Sequence, residues 1–275
     1  MEINKKPISH WGLKEGAINS TKNGMSLSGQ FSLPKRLGKT YHDWQGVIEP
    51  YVSANDIHFD GRDLTLSLVM MCDTTDELYS KINLLKQDLS DTITITDSVC
   101  GTFIVGLVSV DVTEYWGGWA SLSFQLREVA PVVNTTLPTK DSEALQGIDG
   151  YGWGVFGFKI ISINKGCDIT KWNELNVTKN PLHDSWVDGY RSAQEISING
   201  KVIASSYAEF KQYVDNLHAV ISASGVRRLR YESLGVNCFC VDGISVDVVL
   251  CHGDTFWADV EFKMVVTNEN RPPDI

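Results

Sequence analysis

The sequence predicts a mainly β fold of the α+β class, with one helix per repeat, built twice along a single chain. Three observations predict it. A pentapeptide recurs, "VSVDV" at 108–112 and "ISVDV" at 244–248. The strand motif after it recurs too, "WASLSF" at 119–124 and "WADVEF" at 257–262. Upstream of both stands the same amphipathic helical stripe.

Each repeat opens on an alternating strand. "LTLSLVM" places Leu64, Leu66, Leu68 and Met70 on one face, and "ISINGKV" does so with Ile196, Ile198 and Val202. A helix follows, with apolar residues Leu78, Ile82, Leu85 and Leu89 in the first copy and Phe210, Val214, Leu217 and Ile221 in the second. Both sets are spaced i, i+4, i+7, i+11. Each helix starts on a capping box, Thr74 with Glu77 and Ser206 with Glu209, in which hydroxyl and carboxylate satisfy backbone N–H groups that the helix leaves unpaired. In the next strand, Phe103 and Val105 fall on Phe239 and Val241 at the spacing that pairs the pentapeptides.

A hairpin, two residues longer in the second copy, leads to the last strand. There Ala120, Leu122 and Phe124 are expected inward, and Trp119, Ser121 and Ser123 outward. In "VSVDV" the valines oppose Ser109 and Asp111, and the second copy turns Asp247, Trp257, Asp259 and Glu261 outward. One face then packs under the helix and the other is wet. An aromatic on a wet face is a cross-strand packing residue or an interface anchor, which makes Trp119 and Trp257 candidate subunit contacts.

The repeat cores span 57–130 and 189–266, inside domains of 1–135 and 136–275. Residues 131–147, with two prolines and no period, read as the linker. Residues 1–56 are expected to form strands and a long loop ahead of the first repeat. "YHDW" and "LHDSW" echo each other before the two repeat strands.

At 275 residues the chain has room for two domains, and 43% hydrophobic content suffices for their cores. Net charge is −10 and the pI near 5.0, which argues against a nucleic-acid-binding surface, whose affinity needs clustered Lys and Arg. The short basic cluster Arg227, Arg228 and Arg230 reads as a solvated strand start. No apolar run is long enough to span a bilayer and no signal core is visible, so the chain is expected to be soluble and made in the cytoplasm.

No motif carries chemistry. "GWGVFG" fits G-x-G-x-x-G at Gly152, Gly154 and Gly157, but a β-like run follows it where a nucleotide site needs a helix. A strand entry with close backbone approach is the better reading. The six cysteines show no zinc or disulfide spacing, and Cys238 and Cys240 sit in an alternating strand as small buried thiols. His42 with Asp43 and His183 with Asp184 are sequence neighbours, which cannot arrange a base and its orienter. The expectation is a non-enzyme with no cofactor and no metal.

The order "RDLTLSLVM", "TTDELYSKINLLKQDL", then paired strands ending "WGGWASLSFQL", resembles the tail-tube fold of bacteriophage tails, in particular the ring-forming domain of distal tail and tube proteins. The usual distal tail protein joins one ring domain to a different C-terminal domain, whereas here the ring domain itself repeats. The resemblance implies two tandem tail-tube-like antiparallel β-barrel or sandwich domains in a virion structural protein of a tube, distal ring or baseplate hub. It implies self-association, as a homotrimer with pseudo-sixfold symmetry or as a hexamer, contact with other phage tail proteins, no membrane, and DNA only in transit through the lumen during genome ejection. The helices would lie outside, and Ser109, Asp111, Asp247, Asp259 and Glu261 would face the lumen. The competing reading is a two-domain carbohydrate-binding β-sandwich protein, suggested by eight tryptophans.

Overall fold

In the computed structural model the described residues are mainly strand, in curled antiparallel sheets, with two α-helices among them. The structure describes residues 1–16, 25–43, 48–52, 58–89, 92–98, 100–116, 118–140, 145–164, 172–173, 179–180, 183–184, 190–191 and 194–267. The first half holds β1 (Glu2–Ile3), β2 (Lys6–Pro7), a 3-10 turn (Ile8–Trp11), β3 (Leu13–Glu15), β4 (Leu27–Ser28), β5 (Arg62–Met71), α1 (Thr75–Asp88), β6 (Thr92–Asp97), β7 (Gly101–Trp116) and β8 (Trp119–Glu128). Its eight-stranded sheet runs β2-β1-β6-β7-β8-β5-β3, with β4 also on β5.

The second half holds β9 (Gly147–Ile148), β10 (Tyr151–Gly152), a 3-10 turn (Trp153–Phe156), β11 (Phe158–Asn164), β12 (Glu195–Ala204), α2 (Tyr207–Ser222), β13 (Arg227–Tyr231), β14 (Leu234–Val246), β15 (Leu250–His252) and β16 (Thr255–Val266). Its eight strands run β10-β9-β13-β14-β16-β12-β11, with β15 on β16. The two orders are one order written twice. Short ribbons are nested at the same place in each half, Arg36–Leu37 with His58–Phe59 around Tyr41–Asp43 with Ile48–Pro50, and Trp172–Asn173 with Tyr190–Arg191 around Lys179–Asn180 with His183–Asp184. The two His-Asp pairs therefore lie in short strands.

The alternating strands fold as their pattern dictates. Leu64, Leu66, Leu68 and Met70 oppose Leu126, Phe124, Leu122 and Ala120, while Ile196, Ile198 and Val202 oppose Met264, Phe262 and Ala258, and each of these is buried. Leu78, Ile82 and Leu85 of α1, and Phe210, Val214, Leu217 and Ile221 of α2, seal the same faces. Leu89 is only partly buried and ends α1 as its C-cap. The caps match atom for atom. Thr74 Oγ1 accepts from the Glu77 N–H and Ser206 Oγ from the Glu209 N–H, each at 3.2 Å, and each glutamate in turn accepts from the backbone of Asp73 or Ser205.

Three expectations need correction. The repeat begins well before residue 57, because β1, β2 and β3 are sheet members equivalent to β9, β10 and β11. Their shared 3-10 turns end in left-handed glycines, Gly12 at φ 71° and Gly157 at φ 53°. A Cβ on Gly157 would stand 2.2 Å from the Tyr213 ring, so "GWGVFG" is a strand entry closed by packing.

The second correction concerns register. Val110 opposes Phe124 and Ile244 opposes Phe262, so Ile244 is equivalent to Val110, not to Val108. Irregularities between Leu107 and Ser109 and between Cys240 and Ile244 shift the two strands by different amounts. A shift of two residues keeps every side chain on its face, which is why the pentapeptides still matched. Phe103 likewise corresponds to Val236 through Ile95 and Leu229, and the three-residue error places Phe239 on the face opposite Cys238 and Cys240.

The third concerns the valines. Val110 packs against the core, but Val108 is 69% and Val112 47% exposed.

Candidate functional site

Two surfaces bear on function, the sheet faces turned away from the helices and the junction between the halves. On the first sheet, Asp111 stands opposite Ser123 and Ser109 opposite Gln125, on the face away from α1. Ser109 Oγ donates to Asp111 at 2.8 Å. Around them Thr65 donates to Gln125, Gln125 to Ser123, and Thr96 meets Thr102, which makes this face mostly hydroxyl and amide. Ser121 belongs to the same face and is nonetheless buried, while Trp119 is 44% exposed.

On the second sheet the face is charged, with both signs present. Asp259 is paired with Lys201 at 2.9 Å, directly opposite it on β12. Glu261 lies between Asn199 and Ser245. Asp247 donates its N–H to the Asp259 carbonyl, and Lys263 is exposed on the same strand face. Trp257 sits between Ile203 and Leu250 and is half-buried. The five predicted polar residues therefore divide between two faces of different character, and on the second Lys201 and Lys263 stand among the carboxylates.

The junction was not visible in the sequence. Residues 29–35 run from the end of β4 across to the second half, where Leu33 exchanges both backbone hydrogen bonds with Ile244, at 2.9 and 3.0 Å. The Ser32 hydroxyl accepts from the Val246 N–H. Gly243, at φ 80°, permits this approach, since a Cβ there would lie 2.1 Å from the Leu33 carbonyl. Phe31 meets the Phe210 ring edge-on at 5.3 Å and also touches Tyr207, so Phe31 and Leu33 belong to the second core. This strap pairs with the part of β14 that β13 leaves free, because the pairing of β13 along β14 stops at Cys238, opposite Arg227.

Charged and polar groups hold the strap at both ends. Arg62 pairs with Glu128 at 2.6 Å, both nearly buried, and donates to the carbonyls of Gln30 and Ser32. The Arg36 guanidinium donates to the carbonyls of Ser222 and Ala223 at the end of α2, where a cation complements the helix dipole. His218 is fully buried beneath the strap and hydrogen-bonds the Phe31 backbone. Burial, followed by the Arg62 charge, pushes its pKa down to about 3. Helix α2 therefore packs on its sheet and is also covered by the strap. The alternation of Phe31 and Leu33 in "GQFSLP" is the one local signal that could have pointed to a strand here.

Burial pushes the thiols of Cys238 and Cys240 up to about 12, so they act as small apolar residues. Cys167 lies outside the described residues. Among the described residues no three His, Cys, Asp or Glu side chains are grouped to hold a metal ion, and no helix is long and apolar enough to cross a membrane. No family model matches the chain, and no curated protein matches it either.

Proposed function

We propose that the chain is a structural protein that forms a ring in a bacteriophage tail, as a distal tail or tube-to-baseplate hub component with a lumen for DNA. The observation that supports this reading best is one strand order used twice, in which each sheet packs a capped helix on one face and leaves the other face polar. Such a pair of units supplies two sixths of a pseudo-sixfold ring, so three chains close it. The polar faces with Ser109, Asp111, Asp247, Asp259 and Glu261 line the lumen in this reading, and Trp119 and Trp257 lie at subunit contacts. A lumen wall of hydroxyls and mixed charge lets an anionic polymer pass without holding it, since binding a phosphate backbone requires a concentration of cations. Negative-stain microscopy of the purified chain is expected to show rings with threefold symmetry and an open centre. Solid particles or single chains at micromolar concentration would overturn the proposal, and binding on a glycan array would favour a carbohydrate-binding protein.

A further inference from the structure

The junction between the halves has a receptor side and a donor side, and the duplicated fold carries a second copy of each. On the receptor side Val246 and Val249 are only 5% and 3% exposed, where the Val246 N–H meets the Ser32 hydroxyl and the Val249 carbonyl accepts from the Met25 N–H. Their equivalents in the first half are Val112 and Tyr115. Val112 lies two residues past Val110, which opposes Phe124 as Ile244 opposes Phe262, and Tyr115 precedes Trp116, which opposes Trp119 as Leu250 opposes Trp257. Among the described residues no strand pairs with β7 here beyond Gly106, and Val112 and Tyr115 stand 47% and 46% exposed.

On the donor side Met25 reaches from the edge of the first sheet and packs against the second core. It stands just ahead of Ser26, whose carbonyl accepts from the Ser67 N–H, and of Leu27, which opposes Leu66. The matching run in the second half is Ser162 opposite Asn199 and Ile163 opposite Ile198, which makes Ile161 the equivalent of Met25. Ile161 is 63% exposed, and among the described residues no strand pairs with the outer side of β11. Single exposed apolar residues are ordinary on a protein surface. These three, however, hold the positions that close the junction where it is closed, and they lie on open strand edges, which are templates for association.

We propose that a second copy of this chain covers the open edge of β7, seating Ile161 of its β11 beside Val112 and Tyr115 as Met25 is seated beside Val249 within one chain. The contact is head-to-tail, so repeating it closes a ring or propagates a filament. It rests on the ring reading above and names the surface that joins neighbours.

The test uses two variants of the full chain, Val112→Lys on the receptor and Ile161→Lys on the donor, both at positions already exposed. Native mass spectrometry should show the wild type assembled and each variant alone monomeric, with a dissociation constant weaker by about tenfold or more, since the new charge would be covered without a partner. Mixed together, the variants should give a one-to-one dimer and nothing larger, because one intact receptor meets one intact donor. In the wild type itself, hydrogen exchange at the Val110 and Val112 amides should slow between the dilute monomer and the assembly. If the wild type assembles but either variant assembles like it, the mixture stays monomeric, or those amides exchange at an unchanged rate, the contact is wrong and the ring reading stands. A wild type that is monomeric at micromolar concentration overturns both.

Discussion

Helices α1 and α2 share a cap, a stripe and a sheet partner, yet α1 buries Leu78, Ile82 and Leu85 while α2 also buries His218, Ala219, Val220 and Ser222. Counted from the caps, Lys86, Gln87 and Asp88 of α1 stand where His218, Ala219 and Val220 stand in α2. The difference is the strap. A helix with one neighbour needs one apolar stripe, whereas a helix between its sheet and a second layer needs apolar residues on a wider arc. The duplicated unit has thus been adapted at one surface while its sheet-facing contacts stayed alike.

The most disruptive way to break this comparison is to release the strap. Arg62→Ala strands the Glu128 carboxylate and frees the carbonyls of Gln30 and Ser32, so it should lose about 3 to 5 kcal/mol, measured by urea unfolding. The second half has Gln194 and Val266 at the equivalent places and no such pair. Gln194→Ala should therefore be much milder.

Leu85→Ala and Leu217→Ala should each lose about 2 to 5 kcal/mol, since both are fully buried on the sheet-facing side. A cost for one alone would show that the helices are not equivalent.

His218 sharpens the contrast through pH. Its folded pKa lies below the ordinary value of 6.5, so its contribution is fully present above pH 6.5 and is lost as pH falls towards 3. Across that window the wild type should lose about 1.4 kcal/mol per pH unit relative to His218→Met. Lys86→Met, the matching change in α1, should leave the pH profile unchanged.

Smallest of all, Thr74→Ala and Ser206→Ala should cost about 1 kcal/mol each, and equally, by thermal unfolding.

Much of the fold was legible because it rests on short-range pattern. Leu64 to Met70 alternate, Leu78 to Leu85 follow helical spacing, and the caps lie three residues from their glutamates. What failed depended on pairing between strands. The irregularities in β7 and β14 displace register without leaving a mark in composition, so "VSVDV" and "ISVDV" looked aligned when they are two residues apart. Lys201 neutralises Asp259 only because β12 and β16 set them opposite each other, which no spacing along the chain reveals. The strap was harder still, since Phe31 and Leu33 read as loop residues until their seat on another sheet is known.

That seat is synthesised long after the strap. Ser32 and Val246 are 214 residues apart, so a ribosome adding about 5 to 20 residues per second leaves Phe31 and Leu33 waiting about 10 to 40 s for the strand they complete. During that interval any finished second half nearby offers the same docking place. The contact within one chain and the same contact between chains are then rivals, and domain swapping at high local concentration becomes the characteristic misassembly of this protein.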